Sequence, residues 1–373
     1  MRIGFLIPHL FAQNKILDET IFAPVTLARN LIEELSNLGA HVTLYTPFPL
    51  DSSATENINI KTDSLEKELN LNKCTLEELI VENPLAFVSI ARQINTEITA
   101  KAFTDANENR IDILHVYLTE DETPLYFADL IQKPLLFTNH DPYNFYRKYR
   151  VRFPHLKNLK YISISKFQQS TAPKNLNFVA NIYNGVKIDD YPFNDKPNDY
   201  FCTIGRIIKN KGVHHAIEAV RESNEKLRIA GKYYSDEKDP EENYWAKYIA
   251  PEIDNKSIYY EGFLKPPHET AQFLGNAKAL LFPIEWAEPF GMVMIESMAC
   301  GTPVIAFDCG PVREIIKDGV TGFIVKNSKE MSKAMRRIES INRKACRDHV
   351  IKNFSVKRMA KEHLDLYRKI YQY

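Results

Sequence analysis

Glycine is scarce in the first half of this chain. Of 13 glycines in 373 residues, only Gly4 and Gly39 precede Gly185, while ten lie between Gly205 and Gly322. Glycine serves where a backbone turns sharply or comes close to a ligand, so loops that cradle a ligand with main-chain atoms belong to the second half. Cysteine is little used as well. The five present (Cys74, Cys202, Cys300, Cys309, Cys346) are odd in number and show no CxxC or Cys/His spacing, which argues against a disulfide framework or a cysteine-based metal site. Small buried thiols in a reduced, cytoplasmic protein are expected. Net charge is lacking too: 48 Lys and Arg balance 48 Asp and Glu, and residues 1–187 hold 19 against 21. That balance gives no electrostatic case for nucleic acid as a partner. No apolar run approaches the roughly 18–20 residues needed to cross a bilayer. The opening MRIGFLIPHLFAQNK is too short in apolar length, and lacks the small-residue cleavage site, for a signal peptide.

What is present is an alternation of short apolar runs with amphipathic stretches, the pattern of an α/β chain with mostly parallel strands. Ile3–Ile7 reads as a buried strand. Leu27, Ala28, Leu31, Ile32 and Leu35 repeat with a helical period over Val25–Leu38, Gly39 stops that helix, and His41–Tyr45 is the next strand. This is a βαβ unit of the doubly wound type. Further strands are expected at Ile113–Tyr117, Pro134–Thr138 and Tyr161–Ile164, with residues 51–110 largely helical and solvated. A second set starts near Tyr200: strands at Tyr200–Ile204, Leu227–Ala230, Ser257–Tyr260, Ala279–Pro283 and Pro303–Phe307, and helices at Gly212–Val220 and Gly291–Ala299. Ile188–Asn198, poor in apolar residues, reads as the linker. The expected domains are 1–187, 188–353 and a closing helix, 354–373, that crosses back to the first. Two doubly wound domains in one chain place a ligand cleft at the carboxyl ends of both sheets.

The densest chemical signal is the run from Pro283 to Ala306. Pro289 and Gly291 let a strand turn into a helix, and a helix start is a ready site for an anion. Glu288 stands just before that helix and Glu296 inside it, a gap that spans on the order of 10–12 Å at about 1.5 Å per residue. Two carboxylates so spaced could accept hydrogen bonds from two diols that flank a diphosphate, the layout of a nucleotide sugar. The second signal is Gly205-Arg206-Ile-Ile-Lys-Asn-Lys211-Gly212, after a strand and before a helix. It is not the GxxxxGK[ST] pattern, yet Arg206 and Lys211 would converge on the same diphosphate. Taken alone, each signal also has an ordinary reading as solvated surface charge.

Together these motifs resemble the nucleotide-binding domain of the family 4 retaining glycosyltransferases, which have the GT-B fold of two Rossmann-like domains facing a central cleft. The resemblance rests on Gly205-Arg206, Lys211-Gly212, Ala230-Gly231, Glu261-Gly262 and the Glu288–Gly322 block with its E-x7-E spacing. It extends outward through Asn184-Gly185-Val186, Ser163-Ile-Ser165, Thr138-Asn-His140-Asp141 and the closing segment Phe354–Tyr371.

The resemblance implies transfer of a hexose from a nucleotide-diphosphate sugar, UDP before GDP, to a hydroxyl on a sugar, lipid-linked sugar or protein. It assigns catalysis to His140, Arg206, Lys211 and Glu288, and donor binding to Gly205, Gly231, Phe290, Gly291, Met292 and Glu296. Arg206 and Lys211 would neutralise the leaving diphosphate, Glu288 would hold the sugar, Glu296 the ribose, and His140 would approach from the opposite domain. No metal or other cofactor is implied, and the sequence shows neither a DxD motif in a suitable loop nor a His/Asp/Glu cluster. On the acceptor side the family carries a Gly-Gly turn where this chain has Leu17–Val25 without any glycine; Thr20, Phe22 and Ser165 are the acceptor-side candidates. The stretch Phe145–Phe153, continued by Lys157 and Lys160, holds six cations and no acid. It could touch the inner membrane face or an anionic acceptor, or be a helix with a basic face. Two alternatives stay open: a protein that binds sugar nucleotides without turning them over, and a sugar-nucleotide 2-epimerase of the same fold.

Overall fold

The computed structural model describes residues 1–14, 23–61, 78–79, 82–118, 122–143, 158–233 and 243–372. They fall into two units. The first comprises Met1–Ile164, Thr171–Ile182 and Met359–Tyr373; the second comprises Ser165–Ser170 and Tyr183–Arg358. The stretch expected as a linker, 188–198, therefore lies inside the second unit. It is packed there: Tyr191 is buried, and the Arg343 guanidinium donates to the Asn194 carbonyl at 2.7 Å.

The first unit is built on a seven-stranded sheet in the order β3-β2-β1-β4-β5-β6-β7. Its strands are β1 Arg2–Leu6, β2 His41–Tyr45, β3 Glu56–Ile58, β4 Ile113–Leu118, β5 Leu135–Asn139, β6 Lys160–Ser163 and β7 Asn177–Asn181. Every pairing is parallel. A parallel sheet is covered on both faces, so its central strands are buried throughout, as β4 is at all six residues. Helix α1 (Ala23–Asn37) turns Val25, Leu27, Ala28, Leu31, Ile32 and Leu35 inward. It ends at Gly39, whose φ of +81° few other residues adopt. Burying each of those leucines contributes roughly 1.5–3 kcal/mol. Helix α2 (Pro84–Asn107) starts where the Asn83 side chain accepts the Ala86 N–H, satisfying one of the helix's first donors. The short strands β3 and β7 were not foreseen, because sheet edges with Glu56, Asn57, Asn177 and Asn181 lack the apolar run that marks a strand.

The second unit carries a six-stranded parallel sheet in the order β10-β9-β8-β11-β12-β13. Its strands are β8 Phe201–Ile204, β9 Leu227–Ala230, β10 Ile258–Tyr260, β11 Leu280–Phe282, β12 Val304–Phe307 and β13 Gly322–Val325. Counted within the unit, this is the 3-2-1-4-5-6 order of the doubly wound dinucleotide fold. Helices α3 (Val213–Ser223), α4 (His268–Gly275), α5 (Met292–Ala299), α6 (Ser328–Met335) and α7 (Arg343–Asn353) complete it. Chain order reverses between β8 and β11. In open parallel sheets the crevice at that reversal, outside the carboxyl ends of the strands, is where ligands bind. The residues that follow β8 and β11 are Gly205-Arg206 and Pro283 to Glu288.

Candidate functional site

Two glycines bring the loops of that crevice together. Gly212 starts α3 in the left-handed region, φ +67°, and a Cβ there would sit 2.0 Å from the Pro283 carbonyl oxygen. Gly231, φ +138°, ends β9 so close to the first loop that a Cβ would meet the Gly205 oxygen at 1.8 Å. Side chains at either place would push apart backbones that now touch. Arg206 and Lys211 consequently line one small cavity with Gly205, Ala230 and Pro283.

The charges in this cavity are unequally used. Lys211 Nζ lies 2.5 Å from Glu288 Oε2, and the Trp286 indole N–H donates to the same oxygen at 2.8 Å. The ammonium also stands 5.4 Å from the centre of the Trp286 ring. Lys211 and Glu288 are both mostly buried, with side-chain exposures of 18% and 17%, so their attraction is weakly screened by water. Glu288 Oε1 has no hydrogen-bond partner among the described residues and stays available to a hydroxyl. Arg206, by contrast, is exposed and has no ion-pair partner among the described residues. Lys211 is thus held by Glu288, and Arg206 is the cation left uncompensated.

Helix α5 starts beside this pair. Gly291 is its N-terminal cap with φ +90° and offers no side-chain hydrogen bond. The N–H groups of Phe290 and Gly291 have no partner among the described residues, while the Phe290 ring is buried. Unpaired N–H groups at a helix start are a site for negative charge. Met292 is the first residue of the helix. Glu296 lies one turn further along. Burial pushes its carboxyl up to about 7, against a hydrogen bond from Tyr191 that acts in the opposite direction. A large part of it is therefore protonated at neutral pH.

Ser165, an acceptor-side candidate, is fully buried; its hydroxyl donates to the Pro289 carbonyl at 2.6 Å and accepts the Gln168 N–H at 2.9 Å. Through these bonds it fixes the loop before α5. Glu314 works nearby in the same manner. It accepts N–H bonds from Lys166 and Phe167 at 2.8 and 2.7 Å and the Tyr183 hydroxyl at 2.9 Å. The sequence marked Glu314 only as part of a glycine-rich run, and Trp286 not at all. Thr20 and Phe22 lie outside the described residues, as does the basic stretch 144–157.

His140 belongs to the first unit, just after β5. Its ring packs on Tyr117 with centroids 4.4 Å apart, and its Nε2 is buried without a hydrogen-bond partner. Burial, aided by His363, lowers its imidazole to about 3, so it is neutral across the physiological range. His115 nearby is a satisfied core residue: Nδ1 meets the Tyr367 hydroxyl at 2.6 Å and Nε2 the Thr138 hydroxyl at 2.8 Å.

Among the described residues His214, His215 and Glu285 bring potential metal ligands together, a grouping the sequence concealed because Glu285 is far from the histidines along the chain.

Comparison with known proteins places this architecture. Residues 187–354, nearly the whole of the second unit, match the family described as Glycosyl transferases group 1. An uncharacterized glycosyltransferase of Methanocaldococcus jannaschii is 30% identical over 194 residues, which is 50% of this chain and 51% of that protein. The chain spans about half the length of the curated relatives it matches. Among solved structures, a sucrose-phosphate synthase from Thermosynechococcus elongatus superimposes with a TM-score of 0.72 at 19% identity, covering 100% of this chain and 99% of that one. The Anabaena protein HepE in complex with UDP and glucose gives 0.66 at 17% identity over 99% and 100%. The fold is GT-B, two Rossmann-like units each on a parallel sheet. Among the described residues no helix is long and apolar enough to cross a membrane.

Proposed function

We propose that this chain is a retaining glycosyltransferase that moves a hexose from a nucleotide-diphosphate sugar to a hydroxyl acceptor. The observation that carries the reading is the pairing of Arg206 and Lys211 in one cavity, beside Glu288 and the start of α5, at the chain reversal of the second sheet. On this reading the diphosphate lies against Arg206 and Lys211, whose charge offsets the negative charge that grows as the glycosidic bond breaks. Preorganised donors of this kind commonly contribute 10²–10³-fold each in rate. Glu288 holds sugar hydroxyls through Oε1, and the N–H groups of Phe290 and Gly291 assist. Glu296 holds the ribose. With two protein cations at the diphosphate the transfer step needs no metal. The leaving phosphate and the incoming hydroxyl share one face of the sugar, which retains configuration without a carboxylate nucleophile.

His140 acts as a neutral hydrogen-bonding group and not as an acid, since burial removes its charge. Uridine is the favoured base, supported by the similarity to a protein seen with UDP and glucose, and guanosine is second. The acceptor presents a hydroxyl on a sugar, a lipid-linked sugar or a protein. Residues 145–160 are assigned to peripheral contact with the inner face of the membrane from the cytoplasm, on their charge alone.

Thermal shift against UDP-, GDP- and ADP-sugars, with donor hydrolysis followed alongside, tests the reading. A ligand at 100 times its dissociation constant adds about 2.7 kcal/mol of stability. One responder that is also hydrolysed is expected. Binding without turnover in the presence of acceptors would favour a non-catalytic protein, and no response at all would remove the assignment.

A further inference from the structure

Helix α3 opens with two histidines, and the loop after β11 sets a carboxylate against them. His215 Nε2 lies 3.3 Å from Glu285 Oε1. Its other nitrogen, Nδ1, is 3.1 Å from the Ser328 hydroxyl and 3.3 Å from Glu218 Oε2, and Ser328 itself donates to Glu218 at 2.7 Å. The His214 ring packs on that of His215 with centroids 4.0 Å apart, and its Nδ1 is 2.8 Å from the Tyr244 hydroxyl. One ligand atom from each of His214, His215 and Glu285 lies within 4.8 Å of the other two.

His215 has a carboxylate oxygen near each ring nitrogen, and the geometry on the Glu285 side fits a metal ion. Two ligand atoms about 2.0–2.1 Å from a tetrahedral ion stand about 3.3 Å apart, the separation found between His215 Nε2 and Glu285 Oε1. Each histidine also has an oxygen on Nδ1, the outer partner that orients a ligating imidazole and leaves Nε2 to the metal.

We infer that His214, His215 and Glu285 form a three-ligand site for a divalent transition-metal ion of the zinc class, its fourth position open to solvent. Two imidazoles and a carboxylate suit such an ion, and Glu285 is exposed at the surface. The site stands on its own geometry and does not depend on the donor reading. Its place gives it a consequence for that reading all the same. Glu285 already donates its N–H to the Asn210 carbonyl at 3.0 Å, so an ion held here would fasten the loop of Lys211 to the loop of Glu288. Its role would be to position those residues, not to take part in transfer.

The test uses the full chain without an affinity tag, stripped of metal by a chelator and dialysed. Titration with Zn²⁺ by calorimetry should show one ion per chain, and Co²⁺ should give the visible absorption of a tetrahedral site. His215→Ala and Glu285→Gln should each weaken Zn²⁺ binding by about 100-fold or more, and Tyr244→Phe by about 10-fold, with melting temperature in chelator unchanged for Glu285→Gln. Should His215→Ala fail to fold, Glu285→Gln decides, since its side chain is at the surface. Absence of stoichiometric binding, or binding as tight in Glu285→Gln as in the parent chain, would overturn the site.

Discussion

The two units share a sheet order and differ in what stands at the carboxyl ends of their strands. In the second, glycines at 212 and 231 let the main chain meet Pro283 and Gly205, and the charged groups Arg206, Lys211 and Glu288 gather on the surface so formed. In the first, no glycine follows any described strand directly, and the space around β4 and β5 is filled by side chains: His115, Tyr117, His140, and His363 and Tyr367 from the C-terminal helix. One unit brings main chain together at its strand ends; the other stacks rings there. A fold fixes where a site can lie; the residues just past the strands decide what it is made of.

The comparison is most sharply broken at its glycines. Gly231→Ala puts a Cβ on top of a carbonyl and should cost at least about 4 kcal/mol or prevent folding. Gly39→Ala in the first unit, where a Cβ meets open space, should cost only about 1–2 kcal/mol for its left-handed backbone. Urea unfolding of the two variants measures both. The core comes next: Leu31→Ala on α1 should destabilise by about 2–5 kcal/mol in the same assay, with no effect on donor affinity measured at a temperature where the variant is folded.

Arg206→Ala should lower kcat by roughly 10²–10³-fold while leaving the melting temperature of the unliganded chain within about one degree, because Arg206 makes no ion pair among the described residues. Steady-state kinetics with the responding donor decide this, and unchanged turnover would remove Arg206 from the mechanism.

Two further effects concern pH, and there the units should move in opposite directions. Burial lowers His140 from 6.5 to about 3, so the unfolded chain binds more protons between those values and stability falls as pH drops from about 6.5 towards 3. Glu296 is raised from 4.5 to about 7. Here the folded chain binds more protons, so its contribution is present below about 4.5 and is lost as pH rises through 7. Trp245 and Trp286 both belong to the second unit, so their fluorescence follows that unit alone during denaturation, while hydrogen exchange in β4 and β5 follows the first. Glu296→Gln should flatten the pH dependence between 4.5 and 7 seen by fluorescence and leave the acid-side loss in the first unit unchanged.

The sequence made the central strands of both sheets and the glycine-bounded loops legible, because a buried parallel strand is a short apolar run and a left-handed turn calls for glycine. It also brought Arg206, Lys211, Glu288 and the start of α5 into one argument. What it could not convey was pairing. That Lys211 is engaged by Glu288, that the Ser165 hydroxyl bonds to Pro289, and that Glu285 meets two histidines all depend on contacts between residues distant along the chain. The two edge strands of the first sheet were missed for the converse reason: β3 and β7 are defined by a neighbour's hydrogen bonds and not by their own side chains.

The division of the chain also sets an order of events. The first unit is not a continuous stretch; its last part runs from Met359 to Tyr373, and the Tyr367 hydroxyl that satisfies His115 comes 252 residues after it. During synthesis β1 to β7 emerge long before that partner exists. Until the C-terminal helix arrives, His115 lacks the Tyr367 hydroxyl and the rings that cover it, so completion of the early half waits on translation of the late one.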